Sequence, residues 1–232
     1  MFKSTSLFTK PLSIALLVMS MSAIAQNPPA PTPTLGQATP AAAAQSAIPE
    51  PPRLAATGYI LVDGETGETL AHNNADQRLP PASLTKMMSS YLVIEELVRG
   101  RINETNMVNI SVKAWKMEGS RMYVKEGTQV SVIDLLRGEI IQSGNDATVA
   151  LAEYVGSTED AFVDMMNKKA LELGMKSTHF QNAAGLPAAD HYTTARDLAT
   201  LARAVIYNHP QHYPLYAEKE FKYNNIRQPN RN

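Results

Sequence analysis

The sequence predicts an α+β domain in which helices pack on a mostly antiparallel sheet. Three observations predict it. Two short apolar runs, residues 58–63 and 68–72, flank the turn residues Gly64-Glu65-Thr66-Gly67 and read as a strand pair. Residues 84–207 are dominated by segments with helical spacing of apolar side chains. A strand-like run, residues 220–226, then begins again. No internal repeat interrupts this order.

The N-terminal residues precede the domain. Residues 1–10 carry Lys3 and Lys10 and no acid, residues 12–21 are apolar, and Ala23-Ile24-Ala25 is a small-x-small cleavage signal. Residues 1–25 therefore read as a secretory signal peptide, whose apolar stretch is shorter than the about 20 apolar residues of a comfortable membrane span. An uncleaved anchor is the alternative. The mature chain is expected to be exported, starting near Gln26. Residues 26–52 are rich in Pro, Ala, Thr and Gln without apolar periodicity, so they read as an extended spacer. The folded domain is expected over residues 53–232.

Within the domain, the strand pair needs further strands to join, since a lone hairpin is marginal in water. Pro80-Pro81 holds the chain extended and delays the first helix, which is predicted over residues 84–98. Leu84, Met87, Met88, Tyr91, Leu92, Val93, Ile94, Leu97 and Val98 fill more than one face, so this helix should be wrapped on most sides, with Gly100 as its stop. Residues 108–112 and 122–125 read as short strands around Trp115. Ser131-Val132-Ile133-Asp134 is a capping-box-like start for a helix to Gln142, and Ser143-Gly144-Asn145 breaks it. Residues 146–155 resume as a helix stopped by Gly156. Residues 159–173 form another, capped by Thr158 and stopped by Gly174. Residues 181–192 are a loop. Thr194-Ala195-Arg196-Asp197 starts a helix to Tyr207, closed by Asn208 and Pro210.

Composition removes several function classes. The 232 residues are 44% hydrophobic, with 21 basic and 22 acidic residues, so no basic excess points to nucleic acid. There is no cysteine, which excludes disulfides, thiolate zinc sites and thiol nucleophiles. His209-Pro210-Gln211-His212 reads as a surface loop, and His72, His179 and His191 lack metal-ligand spacing, so neither metal nor cofactor is expected. Met87, Met88, Met165 and Met166 fall at helical core positions.

Two constellations carry chemistry. Lys86 is the only charge in its helix before Glu95, three residues after Ser83. The partial positive charge of a helix N-terminus and burial both disfavour an ammonium there, pushing the lysine toward its neutral form. A neutral lysine at i+3 from a serine is a base beside a nucleophile. The alternative is a capping serine and a solvated first-turn lysine; the apolar helix and the double-proline approach favour the first reading. The second constellation is Ser143-Gly144-Asn145, where glycine would permit a tight turn that projects both polar side chains to one side. On its own this also fits an ordinary interhelical turn. Together, Ser-x-x-Lys and a Ser-x-Asn loop match the pattern of penicillin-interacting serine enzymes.

The stretches PASLTKMM, RGEIIQSGNDA, HFQNAAGL and EKEFKYNNIRQPNRN resemble the low-molecular-mass penicillin-binding proteins, the serine D-alanyl-D-alanine carboxypeptidases. The resemblance spans about residues 55–232 and implies the penicillin-binding/serine β-lactamase-like transpeptidase fold. It implies that Ser83 is the acylated nucleophile, Lys86 its proton acceptor and Ser143 a relay to the leaving group. It implies that Asn145 orients the substrate amide and Lys86. The implied substrate is a peptidoglycan pentapeptide ending in D-Ala-D-Ala, in cell-wall biosynthesis and cell shape, with β-lactam antibiotics as inhibitors and the bacterial periplasm as the site of action.

One departure stands out. The family's third motif, Lys-[Thr/Ser]-Gly, has no match: Lys86, Lys113 and Lys125 begin none. The resemblance therefore implies a catalytic domain whose C-terminal part is missing, with little or no carboxypeptidase activity of its own and any membrane anchoring left to a segment outside these residues. A serine β-lactamase shares the first motif, but the second reads Ser-Gly-Asn and not Ser-Asp-Asn, and no Glu-x-x-Leu-Asn lies between Ala150 and Gly185. A non-catalytic penicillin- or peptidoglycan-binding module is the reading from a different class.

Overall fold

The computed structural model describes residues 54–230, so the signal-peptide and spacer readings lie outside the described residues. Strands β1 (Tyr59–Val62) and β2 (Thr69–Asn73) form the expected antiparallel hairpin, pairing Tyr59 with Asn73 and Leu61 with Ala71 before the register shifts at Val62. The Asp63 carboxylate accepts from the amides of Glu65 and Thr66 and from the Thr66 hydroxyl, which fixes the turn.

The first helix begins later than expected. A 3-10 turn, Ala82–Thr85, leads into α1 (Lys86–Val98), because Pro81 cannot donate a backbone bond and Ala82 takes a positive φ of 47°. Every residue of α1 from Met88 to Glu96 is buried, in keeping with its all-round apolar sequence. It packs against α3 (Val132–Gln142), α4 (Asn145–Gly156), α5 (Glu159–Leu173) and α6 (Ala195–Tyr207). Ser131, Thr158 and Thr194 each accept from the amide three residues on, so the three sequence-read caps are formed. Gly174, at φ 85°, ends α5. Met88 and Met166 are fully buried and Met87 and Met165 pack against the same core.

Three expectations are corrected. Residues 108–112 split into strand β3 (Met107–Asn109) and a short helix α2 (Val112–Trp115), because the Ser111 hydroxyl caps the Ala114 amide. Strand β3 pairs with β4 (Gln129–Ser131), which lies beyond residues 122–125. Those residues form no strand: the buried Asp146 carboxylate accepts from the amides of Met122, Tyr123 and Val124 at 2.9, 2.9 and 3.1 Å, replacing a ladder. The C-terminal run is two strands, β5 (Glu220–Tyr223) and β6 (Ile226–Pro229), joined by Asn224 and Asn225 with φ of 48° and 62°, the backbone of a type I′ hairpin turn.

The architecture is α+β. Among the described residues the strands form three two-stranded antiparallel sheets, where a single larger sheet was expected. Helix α6 lies against β1, and β5 and β6 lie against α3. No helix of the described residues is long and apolar enough to cross a membrane.

Candidate active site

The site is built where the start of α1 meets the break between α3 and α4. The 3-10 turn leaves Ser83 exposed while Thr85 and Lys86 turn inward, Lys86 being only 5% exposed. The Lys86 Nζ lies 3.4 Å from Ser83 Oγ and donates to the Ala184 carbonyl oxygen at 2.7 Å. Burial holds the lysine below its ordinary 10.5, at about 8, against the opposing pull of the Glu139 charge. Desolvation therefore dominates, as the sequence reading required.

The loop 181–192 is fastened to this turn. Ser89 Oγ donates to the Ala183 carbonyl oxygen, the Ala183 amide donates to Glu159, and the amides of Gly185 and Leu186 donate to Asn182. Gly185 takes a φ of 83° and passes so close that a Cβ there would stand 1.9 Å from the Ala82 carbonyl oxygen. His191, 5% exposed, closes the contact. Its Nδ1 accepts the Gln181 amide at 3.0 Å, which puts its proton on Nε2, and that nitrogen donates to Thr85 Oγ1 at 2.8 Å. Spacing alone assigns His191 nothing beyond a lack of metal-ligand pattern, because its partners lie 10 and 106 residues away.

On the other side, Ser143 adopts the left-handed conformation, φ 55°, that ends α3. The turn was expected to use glycine's freedom, yet Gly144 sits at an ordinary φ of -67°. Glycine suits the close packing there: a Cβ would stand 3.0 Å from the Gly138 carbonyl oxygen and from Asp146 Oδ1, so those neighbours would have to shift. Ser143 Oγ is buried and makes no hydrogen bond.

Ser83, Lys86 and Ser143 line one cavity of about 540 Å³, together with Glu139, Tyr213 and Tyr216. Asn145 does not line it. It is 6% exposed, its amide nitrogen donates to the Glu118 carbonyl oxygen at 2.6 Å, and its backbone donates to Ser120 at 2.7 Å. Of the four sequence-predicted site residues, three are brought together and the fourth anchors the 118–120 loop beside them.

Sequence reasoning missed Glu139. It sits one turn before Ser143 in α3, 1% exposed, with neither carboxyl oxygen hydrogen-bonded. The nearby Thr148 hydroxyl spends its proton on the Gly144 carbonyl oxygen. Burial raises this carboxyl from 4.5 to about 8, opposed first by the Lys86 charge and then by the Thr148 hydroxyl. The available signal was a lone acid in the run Leu135 to Ile141, on a face otherwise apolar. His209 and His212, expected on the surface, are half-buried, His209 packing on the Tyr91 ring at 5.2 Å. Among the described residues no group of three or more histidines and acids is arranged to hold a metal ion.

The arrangement of a hydroxyl beside a desolvated amine suits acyl transfer. The profile of the S11 peptidases, described as D-alanyl-D-alanine carboxypeptidase, matches residues 45–232. The chain is 46% identical over 199 residues to the D-alanyl-D-alanine carboxypeptidase DacC of Escherichia coli, covering 83% of this chain and 50% of that protein. It is 47% identical over 191 residues to DacA of the same organism, covering 80% and 47%. Among solved structures, penicillin binding protein 5 from Haemophilus influenzae matches with a TM-score of 0.76 at 46% identity, covering 78% of this chain and 54% of that one. Penicillin binding protein 6B from Escherichia coli matches with a TM-score of 0.76 at 43% identity, covering 79% and 60%. The chain thus spans about half the length of the curated relatives it matches. On the profile match and these identities, the chain belongs to the S11 peptidases, the D-alanyl-D-alanine carboxypeptidase family.

Proposed function

We propose that these residues carry the nucleophile and base of a serine D-Ala-D-Ala carboxypeptidase, which trims the terminal D-alanine from peptidoglycan stem peptides in the bacterial periplasm, and that without a Lys-[Thr/Ser]-Gly motif they have little or no turnover of their own. The observation that carries the reading is the Lys86 amine, 3.4 Å from the Ser83 hydroxyl and destabilised as an ammonium by burial. In the proposed reaction Ser83 Oγ bonds to the carbonyl carbon between the two D-alanines while its proton moves to Lys86 Nζ. Donors aimed at the developing oxyanion, the Ser83 amide among them, lower the barrier by several kcal/mol. The carbon–nitrogen bond then breaks, and the proton passes from Lys86 through Ser143 to the leaving amine. Water hydrolyses the ester and frees Ser83. Asn145, outside the cavity with its side-chain nitrogen on the Glu118 carbonyl oxygen, is proposed to orient the substrate amide and Lys86 only indirectly, by holding the 118–120 loop. Residues 1–25 are proposed to direct export and residues 26–52 to act as a spacer before the catalytic domain.

β-Lactams present a strained amide to the same nucleophile and are proposed to trap Ser83 as an ester. The test is intact mass spectrometry of the chain incubated with benzylpenicillin. A long-lived gain of one penicillin, abolished in Ser83→Ala, is the expected result. Rapid release of hydrolysed penicillin would replace this reading with a β-lactamase, and an adduct that persists in Ser83→Ala would overturn Ser83 as the nucleophile.

A further inference from the structure

We propose that Glu139 is a positioning residue for Lys86: its carboxyl, buried in the wall of the cavity that Ser83, Lys86 and Ser143 also line, supplies the counter-charge that governs when the lysine can take the serine proton. The inference rests on the reading of Lys86 as the base. Its physical ground is a carboxyl that has no ordinary reason to be where it is. Glu139 is 1% exposed and neither oxygen has a hydrogen-bond partner. A buried polar group left in that condition costs on the order of a few kcal/mol, and a buried carboxylate more. An apolar side chain would fill the same place on α3 between Leu136 and Ile140 at no such cost.

The groups that face it narrow its role. From α1 comes Lys86, the one cation that acts on it among the described residues. The turn 213–217 brings Tyr213 and Tyr216, which line the same cavity. The Tyr216 hydroxyl is committed to Ser90 Oγ at 2.8 Å, since Ser90 itself donates to the Lys86 carbonyl oxygen at 2.7 Å. Helix α4 brings Thr148, whose proton goes to Gly144. On its own helix, Arg137 points away to Glu218 at 3.0 Å. Of the groups that act on the carboxyl, the Lys86 charge comes first and the Thr148 hydroxyl second. The two are not in ion-pair contact, so the lysine nitrogen stays directed at Ser83 and Ala184 while the carboxyl acts on it as a charge in the same cavity wall.

In the acylation step Ser83 loses its proton to Nζ as the oxygen–carbon bond forms, creating an ammonium in a buried site. An ionised Glu139 stabilises that ammonium without touching the proton. When the proton moves on to the leaving nitrogen, Lys86 is neutral again and Glu139 is unchanged. The carboxyl thus acts through the lysine and not on the substrate.

The decisive variants are Glu139→Gln, which keeps the shape and removes the charge, and Glu139→Ile, which removes the polar group. Both are made in the full chain and checked for folding by circular dichroism. The first readout is the titration of Lys86 by NMR of chains carrying ¹³C-labelled lysine, assigned with Lys86→Arg. The second is the pH profile of acylation by benzylpenicillin. In both variants the Lys86 midpoint is expected to move about one pH unit lower, about tenfold in proton affinity, and the acid limb of the profile to follow it. A midpoint that stays in place in either folded variant overturns the inference. The NMR titration reads the Lys86 midpoint without any turnover, so it decides the inference separately from the acylation that tests Ser83 as nucleophile.

Discussion

Lys86 and Glu139 each carry a burial penalty, and the two penalties act on stability in opposite pH windows. Glu139 is raised from 4.5 to about 8, so between those values the folded chain holds a proton that the unfolded chain has released. Stability must therefore fall as pH rises through that window, by at most about 1.4 kcal/mol per pH unit. Lys86 is lowered from 10.5 to about 8, so above 8 the unfolded chain holds the extra proton and stability climbs again. Urea unfolding followed across pH 4 to 10 is expected to show this dip near pH 8, and Glu139→Gln is expected to remove its acid side. A flat profile in both chains would contradict the burial of these charges. Gly185 gives a second prediction at this scale. Its positive φ and the 1.9 Å approach of a Cβ to the Ala82 carbonyl oxygen leave Gly185→Ala no room, because the obstructing atom is backbone. A loss of about 2–4 kcal/mol is expected from unfolding curves, with slower penicillin acylation because the loop that holds Lys86 is displaced. Unchanged stability would mean that the loop sits farther from Ser83.

At the scale of elements, local chemistry was legible and distant chemistry was not. The caps Ser131, Thr158 and Thr194 act within three residues, so the starts of α3, α5 and α6 could be read directly. The Ser83–Lys86 pair lies within one helical turn and was legible for the same reason. Residues 122–125 carry strand-like side chains, but their amides bind Asp146, more than 20 residues on, and no local pattern announces that. Glu139 reaches Lys86 only because α3 packs on α1, which sequence spacing does not reveal. The split of residues 220–229 into a hairpin was within reach, since Asn224-Asn225 is a turn pair that tolerates positive φ. Asp146 supplies the test here. Asp146→Ala orphans three loop amides and the Ala147 amide, which its Oδ1 also accepts at 2.9 Å. Replacing this 1% exposed carboxylate is expected to cost about 3–5 kcal/mol in urea unfolding. The 118–125 loop should become protease-sensitive before the rest of the chain. A cost under about 1 kcal/mol would show that other acceptors take over.

For the described domain as a whole, stability should be graded outward from α1. This helix contributes Met88, Tyr91, Leu92, Val93 and Ile94 to one apolar core shared with α3, α4, α5 and α6. Its amides can reach solvent only when those helices separate together. The β1–β2 hairpin is built differently. Its strands are four and five residues long, none of their residues is fully buried, and Leu61 and Leu70 are more than half exposed. Only α6 lies against β1, so opening the ribbon exposes little apolar surface. Because opening free energy tracks the surface exposed, the hairpin belongs to the low-stability end of the molecule and α1 to the global end. Native-state hydrogen exchange read by mass spectrometry checks this. Peptides from α1 and α4 are expected to exchange only through global unfolding, with a steep denaturant dependence. Those from β1 and β2 should exchange faster by at least about tenfold, with little denaturant dependence. Ser83 stands on the boundary, its turn leading directly into α1, so it should be held by the protected unit while the hairpin upstream opens independently. Equal protection of the hairpin and α1 would show instead that the whole domain opens as a single unit.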